Sequence, residues 1–486
     1  MRMGRNRRAA PSRRGDGMLQ PGAENAFDRA GRAAARSTQP HSPMQRAPSF
    51  WLCGVFAFSA FAVDAQTVPS PAPTPSAAVT NAAATVLLAP DPRFEIPATD
   101  DGLPGAGPLR RADWFRKLWR ERRAGWAGRT AADQGALVFL GDSITQGWGE
   151  RMGSLFPGVK VANRGISGDT TRGVLIRLQE DVLMLRPSGV VLLIGTNDLE
   201  EQAEPEVIVG NVKLILAALK QHNPELPVVL CDVMPSAEVK KRPAAQIKKL
   251  NQLLFAAIKD EPQVTVLDTW TLFANAQGDA KPEEFPDLLH PNGIGYSRWE
   301  AALRPVLETL GLVPAWPDDF TPEAGFEPLF NGRDLAGWSF ADQSFAEGAT
   351  VAAGGRFIAK NGRLVVTVSR LERNYLKLVT TQKFPKDFVL KLEFRASPAA
   401  DSGIYIREPQ LQCRDFLLAG PYYLLKNYRP LDWNEIVITV KGGLAHATCN
   451  GEILADAMPV PATGPIGLES DHGQMEYRRL RVRETR

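Results

Sequence analysis

Short apolar runs separated by longer segments of helical spacing dominate residues 112 to 310. The runs Leu137–Leu140, Val159–Ala162, Val190–Ile194, Pro227–Cys231 and Val264–Leu267 are too short for helices and too uniformly apolar for strands with one wet face. They predict strands buried on both sides. Between them, 172–185, 205–222 and 243–259 repeat apolar residues every three or four positions, as in Val174, Leu175, Leu178 and Val182. A helix ahead of the first strand is expected in "ADWFRKLWRERRAGWAG", and a last one over about 296–310. Strand and helix taking turns five times predicts a parallel sheet covered on both faces.

Beyond Leu312 the pattern changes. "LVPAWPDDFTPEAG" carries three prolines and three acids and marks a boundary. After it the period is two: in "DFVLKLEFR", Phe388, Leu390, Leu392 and Phe394 face one way and Lys391, Glu393 and Arg395 the other. "RLVVTVS", "YLKLVT", "SGIYIRE", "EIVITVKGG" and "MEYRRLRVRE" continue the alternation, separated by Asn-Gly or Gly-Gly turns at 331, 361, 442 and 450. This predicts an all-β sandwich of about 160 residues.

A chain of 486 residues exceeds one ordinary core, which agrees with two domains plus extensions. Residues 44–66 have a basic start at Arg46, an apolar centre from Phe50 to Val63 and small residues before Gln66. That is the layout of a secretory signal, and the centre is shorter than the roughly 20 residues of a membrane-spanning helix. The expectation is therefore a secreted or periplasmic protein with no stable membrane insertion after cleavage. The boundaries read as leader and signal peptide 1–65, Pro/Ala-rich linker 66–111, α/β domain 112–311, linker 312–325 and β-sandwich 326–486. Net charge is +3, but the first 65 residues hold ten Arg against four acids, and without them 47 basic face 50 acidic residues. Nothing in that balance points to nucleic acid. Removal of the signal leaves Cys231, Cys413 and Cys449; pairing of the last two and separate buried thiols both stay open.

"LGDSITQGW" follows the first predicted strand and raises Ser143 as a nucleophile. A serine hydroxyl needs a base, and the base an orienting group. The α/β region holds two histidines: His222 ends a helix, where the dipole favours a cation, and His290 lies in "PDLLHPNGIGY", three residues after Asp287 and before Pro291. "NRGISGDTT" (163–171) follows the second strand and offers Gly168 in a flexible loop; "LIGTNDL" (193–199) follows the third and presents the Asn197 amide. All lie after strand ends, where open α/β sheets bind ligands. Asp142, Asn163, Asp198 and His290 also suit a hard metal ion, the competing reading of a metal-dependent phosphoesterase.

Gly141-Asp142-Ser143, Gly168, Gly195-Thr196-Asn197-Asp198 and Asp287-x-x-His290 together resemble the SGNH (GDSL) hydrolases, and "NRGISGDTT" with "GTND" is most similar to their platelet-activating-factor acetylhydrolase-like branch. The resemblance covers about 112–310. It implies a flavodoxin-like α/β/α sandwich, a Ser143 nucleophile, a His290 base oriented by Asp287, an oxyanion hole from the Ser143 and Gly168 N–H groups and the Asn197 side chain, supporting roles for Asp142 and Asp198, and neither metal nor other cofactor. "FEPLFNGRDLAGW", "KLEFRASPAADSGIYIRE", "LDWNEIVITVKGG" and "GPIGLESDHG" resemble the 3-keto-disaccharide hydrolase domain family. That implies a concanavalin-A-like jelly roll over about 326–485, with Glu393, Arg395, Ser402, Tyr405, Arg407, Gln412 and Trp433 as glycan contacts. The expectation is an exported serine esterase that removes acetyl or short acyl groups, from an acylated carbohydrate or small ester, through an acyl-enzyme. The alternative is a glycan-binding protein, or a glycosidase of oxidised disaccharides acting through the C-terminal domain.

Overall fold

The computed structural model describes residues 91–149, 152–259, 261–316, 318–367, 375–415 and 421–485. The expected leader and signal, and the linker up to residue 90, lie outside the described residues. Five parallel strands, β1 (Leu137–Gly141), β2 (Val161–Gly165), β3 (Gly189–Leu193), β4 (Val228–Cys231) and β5 (Val264–Leu267), line up in the order β2-β1-β3-β4-β5. Side chains that alternate along each strand explain the two cores. Val138, Leu140, Val190, Leu192, Val228 and Leu230 pack on one face under α4 (Thr171–Asp181), α6 (Pro205–His222) and α7 (Ala244–Ala257). Leu137, Phe139, Val191, Leu193 and Val229 pack on the other under α9 (Gly293–Leu310). The uniform apolar runs of the sequence are thus strands wet on neither side.

The remaining helices are α1 (Asp113–Ala127) and the short α2 (Ser143–Gly147), α3 (Met152–Leu155), α5 (Thr196–Glu200) and α8 (Thr269–Phe273). The short ones escape periodicity because none exceeds five residues. The second strand starts two residues later than its apolar run predicts, because Asn163, Arg164 and Gly165 pair with Phe139, Leu140 and Gly141. The last helix starts earlier, at Gly293, because the Asn292 side chain accepts from the N–H groups of Ile294 and Gly295. Strand order reverses at β1: the chain leaves it for β2 on one side and reaches β3 on the other. The loops after β1, β2 and β3 therefore meet over one crevice.

Residues 91–111, expected as linker, are packed onto this domain. Ile96 and Leu109 are buried with Phe115, Trp119, Trp126 and Ile166, and the Asn211 side chain exchanges two hydrogen bonds with the backbone of Ala106. Periodicity carries no sign of this packing, because the segment has no repeating pattern and is anchored through single residues.

The C-terminal domain is a sandwich of two antiparallel sheets, of nine and six strands among the described residues. Phe388, Leu390, Leu392 and Phe394 face the core between them, as the alternation predicts. Cys413 and Cys449 are separate buried thiols, as is Cys231. The outer face of the larger sheet is joined to the first domain. Buried Glu308, near the end of α9, pairs with Arg363 and with Arg395 (3.3 Å), and Gln474 reaches Thr309 (3.2 Å). The connector 312–325 is fastened to the same face: Asp318 pairs with Arg479 (2.9 Å), and Glu323 with Arg481 (2.5 Å) and Lys391 (3.2 Å).

Candidate active site

Ser143 opens α2 immediately after β1. Asp142 caps that helix, its side chain accepting from the Ile144 N–H at 2.9 Å, so the serine sits where helix N–H groups are unpaired. Tyr296 of α9 donates to the Ile144 carbonyl at 2.8 Å and ties α2 to the helix that follows His290. His290 Nε2 lies 2.9 Å from Ser143 Oγ, and His290 Nδ1 lies 2.9 Å from Asp287 Oδ2. The second carboxylate oxygen of Asp287 accepts from the N–H groups of Leu289 (3.1 Å) and His290 (2.8 Å). Partial burial raises the Asp287 pKa, but the His290 N–H, the His290 ring and the Leu289 N–H outweigh it and bring the carboxyl down to about 2. A charged carboxylate on Nδ1 places the proton there and leaves Nε2 with its lone pair toward the serine.

The loops after β2 and β3 close the other side. Gly168 adopts φ +86°, a conformation most side chains avoid. No acceptor is paired with its N–H, or with that of Ser143, among the described residues. Asn197 is buried, and both ends of its amide are fixed. Nδ2 donates to the Asp169 carbonyl at 2.9 Å, while Oδ1 accepts from Arg242 Nη2 at 3.1 Å. An arginine only donates and a carbonyl only accepts, so the amide has one orientation and its second N–H remains for another acceptor. Arg242 also donates to the Thr196 carbonyl (2.9 Å), the Thr196 hydroxyl (3.0 Å), the Lys240 carbonyl (2.6 Å) and Glu200 (3.0 Å). Nothing in the sequence singled it out, because it lies 45 residues from Asn197 in a stretch without a motif.

Three buried acids lie behind the crevice. Burial pushes Asp142 up to about 7; the Ile144 N–H opposes this and the Asp169 charge adds to it. Oδ2 of Asp142 has no partner among the described residues, which suits a protonated carboxyl. Asp169 and Asp198 are pushed up to about 6, mainly by burial. Asp169 is held by Arg177 (2.8 Å), and Asp198 accepts from the N–H (3.0 Å) and hydroxyl (2.5 Å) of Thr171, which starts α4. Asp142 and Asp198 thus hold helix starts. Asn163 donates to the Thr145 carbonyl (2.9 Å). No group of three His, Cys, Asp or Glu residues is placed to hold a metal ion among the described residues.

The C-terminal residues divide. Arg395 belongs to the cluster with Glu308 and Glu476, and Glu393 pairs with Arg478 and Arg479. Trp433 lies beneath the guanidinium groups of Arg478 (4.0 Å), Arg395 (4.8 Å) and Arg363 (5.7 Å). These three are on the face joined to the first domain, which corrects their expected role as glycan contacts. Ser402 is wholly buried, bonded to Tyr477 and the Glu469 carbonyl, and Arg407 is buried on the carbonyls of Pro461 and Lys386; both are corrections of the same kind. Tyr405 and Gln412 are partly exposed on the smaller sheet. There Tyr405 donates to Glu469 (2.8 Å), Gln410 contacts the same carboxylate and Gln412 bonds Gln410 (3.1 Å). Burial raises the Glu469 pKa. Glu469 and Gln410 went unnoticed in the sequence, although the strand alternation at 410–414 carries the signal for Gln410.

Comparison with known proteins finds relatives of both domains. A family model described as the GDSL-like lipase/acylhydrolase family matches residues 139–298, and one described as a 3-keto-alpha-glucoside-1,2-lyase-like domain matches residues 325–483. Platelet-activating factor acetylhydrolase IB subunit alpha1 of Pongo abelii is 31% identical over 178 residues, 35% of this chain and 74% of that protein. Subunit alpha2 of Homo sapiens is 32% identical over 170 residues, 33% of this chain and 71% of that protein. The crystal structure of a GDSL-like lipase from Bacteroides thetaiotaomicron aligns with 28% identity and a TM-score of 0.35, over 38% of this chain and 97% of that one.

Proposed function

Because the chain belongs to the GDSL-like lipase/acylhydrolase family, we propose that Ser143, His290 and Asp287 carry its ester hydrolysis through an acyl-enzyme. The observation that carries the proposal is the unbroken line from Ser143 Oγ to His290 Nε2 and from His290 Nδ1 to Asp287, each link 2.9 Å. In this reading Nε2 takes the serine proton as Oγ attacks the ester carbonyl. The oxyanion rests on the N–H groups of Ser143 and Gly168 and the remaining N–H of Asn197, and imidazolium Nε2–H returns the proton to the departing alcohol. Water, activated by the same nitrogen, then releases the acid and restores the serine.

The substrate in this proposal is an acetyl or short acyl ester on carbohydrate. Two observations support it: the relatives are named acetylhydrolases, and the same chain carries a 3-keto-alpha-glucoside-1,2-lyase-like domain. We place catalysis in 112–311 and glycan binding or processing in 326–486, on the smaller sheet around Tyr405, Gln410, Gln412 and Glu469. The protein is exported, with a leader and signal over 1–65, and works outside the cytoplasm. Wild type is expected to hydrolyse p-nitrophenyl acetate and Ser143→Ala to lose that activity to background; full activity in the variant overturns the assignment.

A further inference from the structure

The sequence ahead of the matched segment 139–298 brings two side chains to the oxyanion loop. On α1, Phe115, Trp119 and Trp126 are buried, but Trp114 is 54% exposed. A Cβ added to Gly168 would lie 2.7 Å from Trp114 Cη2 and 2.8 Å from Arg110 Nη1. Both side chains therefore press against this loop as closely as its backbone allows, and only a glycine admits them. Arg110 is not free to swing. Its Nε and Nη2 donate to Glu201 (2.9 and 2.7 Å), Nη2 also reaches Glu200 (2.8 Å), and its guanidinium stands 5.6 Å from the Trp114 ring. Glu200 is also bound to Arg242, which holds Asn197. The wall made by Arg110 and Trp114 is thus locked to both loops that offer oxyanion donors, while Nη1 has no acceptor among the described residues.

We propose that Trp114 and Arg110 form a sugar subsite that holds the alcohol part of the ester, a pyranose ring, beside the carbonyl attacked by Ser143; this rests on the carbohydrate-ester reading above. A flat, half-solvated indole matches the apolar C–H face of a pyranose, and a fixed guanidinium N–H beside it donates to ring hydroxyls. A short acyl chain needs neither: it is served by an enclosed apolar pocket and leaves an exposed tryptophan unexplained. The subsite gives this chain its preference for glycan esters over simple esters from residues that the matched segment does not contain.

The test measures binding in full-length Ser143→Ala, so that it does not depend on turnover. The probes are an acetylated xylo-oligosaccharide and an acetylated manno-oligosaccharide, titrated by calorimetry. Trp114→Ala in that background is expected to weaken Kd about ten-fold for the better probe, and Trp114→Phe by clearly less. In the otherwise wild-type enzyme, Trp114→Ala lowers the ratio of kcat/KM for that probe to kcat/KM for p-nitrophenyl acetate by a similar factor. An unchanged Kd in Trp114→Ala overturns the subsite, as does the absence of binding to either probe by the Ser143→Ala protein. Loss of p-nitrophenyl acetate hydrolysis from wild type itself would instead strike the esterase reading, and the binding result would stand apart from it.

Discussion

The polar groups around Ser143 and those on the larger sheet of the sandwich are both dense with charge, yet they are joined to different things. Around Ser143 each buried charge ties one loop of the crevice to another: Asp198 holds the start of α4, Arg242 holds Asn197, and Arg177 bonds Asp169 and the Gly141 carbonyl. What is left over is a hydroxyl, an imidazole nitrogen and a few N–H groups facing one crevice. On the larger sheet the charges consume one another. Glu308, Arg363, Arg395 and Glu476 close a buried cluster across the domain boundary, in which the buried Glu308 Oε1 alone is left without a hydrogen-bond partner among the described residues. Charge density alone therefore does not mark a site; groups left unpaired at a crevice between loops do.

The largest difference between the two regions is expected at Asn197. Removing one oxyanion donor typically costs on the order of 10²–10³ in kcat, and Asn197→Ala is expected to fall in that range with p-nitrophenyl acetate, whereas Glu393→Ala stays within about two-fold of wild type. Comparable losses in the two variants would erase the distinction. The counterpart is Glu308→Ala, which leaves Arg363 and Arg395 to share Glu476 as their remaining carboxylate in the buried cluster. Breaking such a cluster costs about 3 kcal/mol or more, read as a lower denaturation midpoint by urea titration, and a change below the error of that titration would show that the cluster holds nothing.

A smaller effect sharpens the role of Arg242. Lysine cannot span Thr196, Asn197 and Glu200 together, so Arg242→Lys should lower kcat about ten-fold with little change in KM, as expected when an interaction made only in the transition state weakens. Added to Asn197→Ala it should cost almost nothing more; full additivity would make Arg242 a structural residue only. The smallest effect is on stability. Burial lifts the folded-state carboxyl of Asp142 to about 7 and those of Asp169 and Asp198 to about 6, above the ordinary aspartate value of 3.8. Between about pH 4 and 7 the native protein then holds more protons than the unfolded chain, so stability falls as pH rises through that window. The melting temperature should be higher at pH 5 than at pH 8, and Asp142→Asn should narrow the gap by about 2–4 °C. An unchanged or wider gap in calorimetry would mean that Asp142 is ionised in the folded state.

The parallel sheet was legible because its strands are apolar on both faces, and the meeting of Ser143, His290 and Asp287 because each lies in a short motif after a strand end. Asp287 and His290 are three residues apart, so a local turn was enough to foresee their pairing. Arg110 and Arg242 were not legible. They act through loops 90 and 45 residues away, and one arginine among many carries no local mark. Alternation placed Glu393 and Arg395 correctly on an outer face, but strand period cannot say what packs against that face. The same limit applies to residues 91–111, where packing rests on Ile96 and Leu109 without a repeating pattern.

A covalent intermediate at Ser143 is the central step of the proposed hydrolysis. Incubation of the full-length protein with a fluorophosphonate, followed by intact-mass measurement and peptide mapping, should give one adduct on Ser143 that forms far more slowly in His290→Gln. Labelling of another residue, or equal rates in the two proteins, would contradict it.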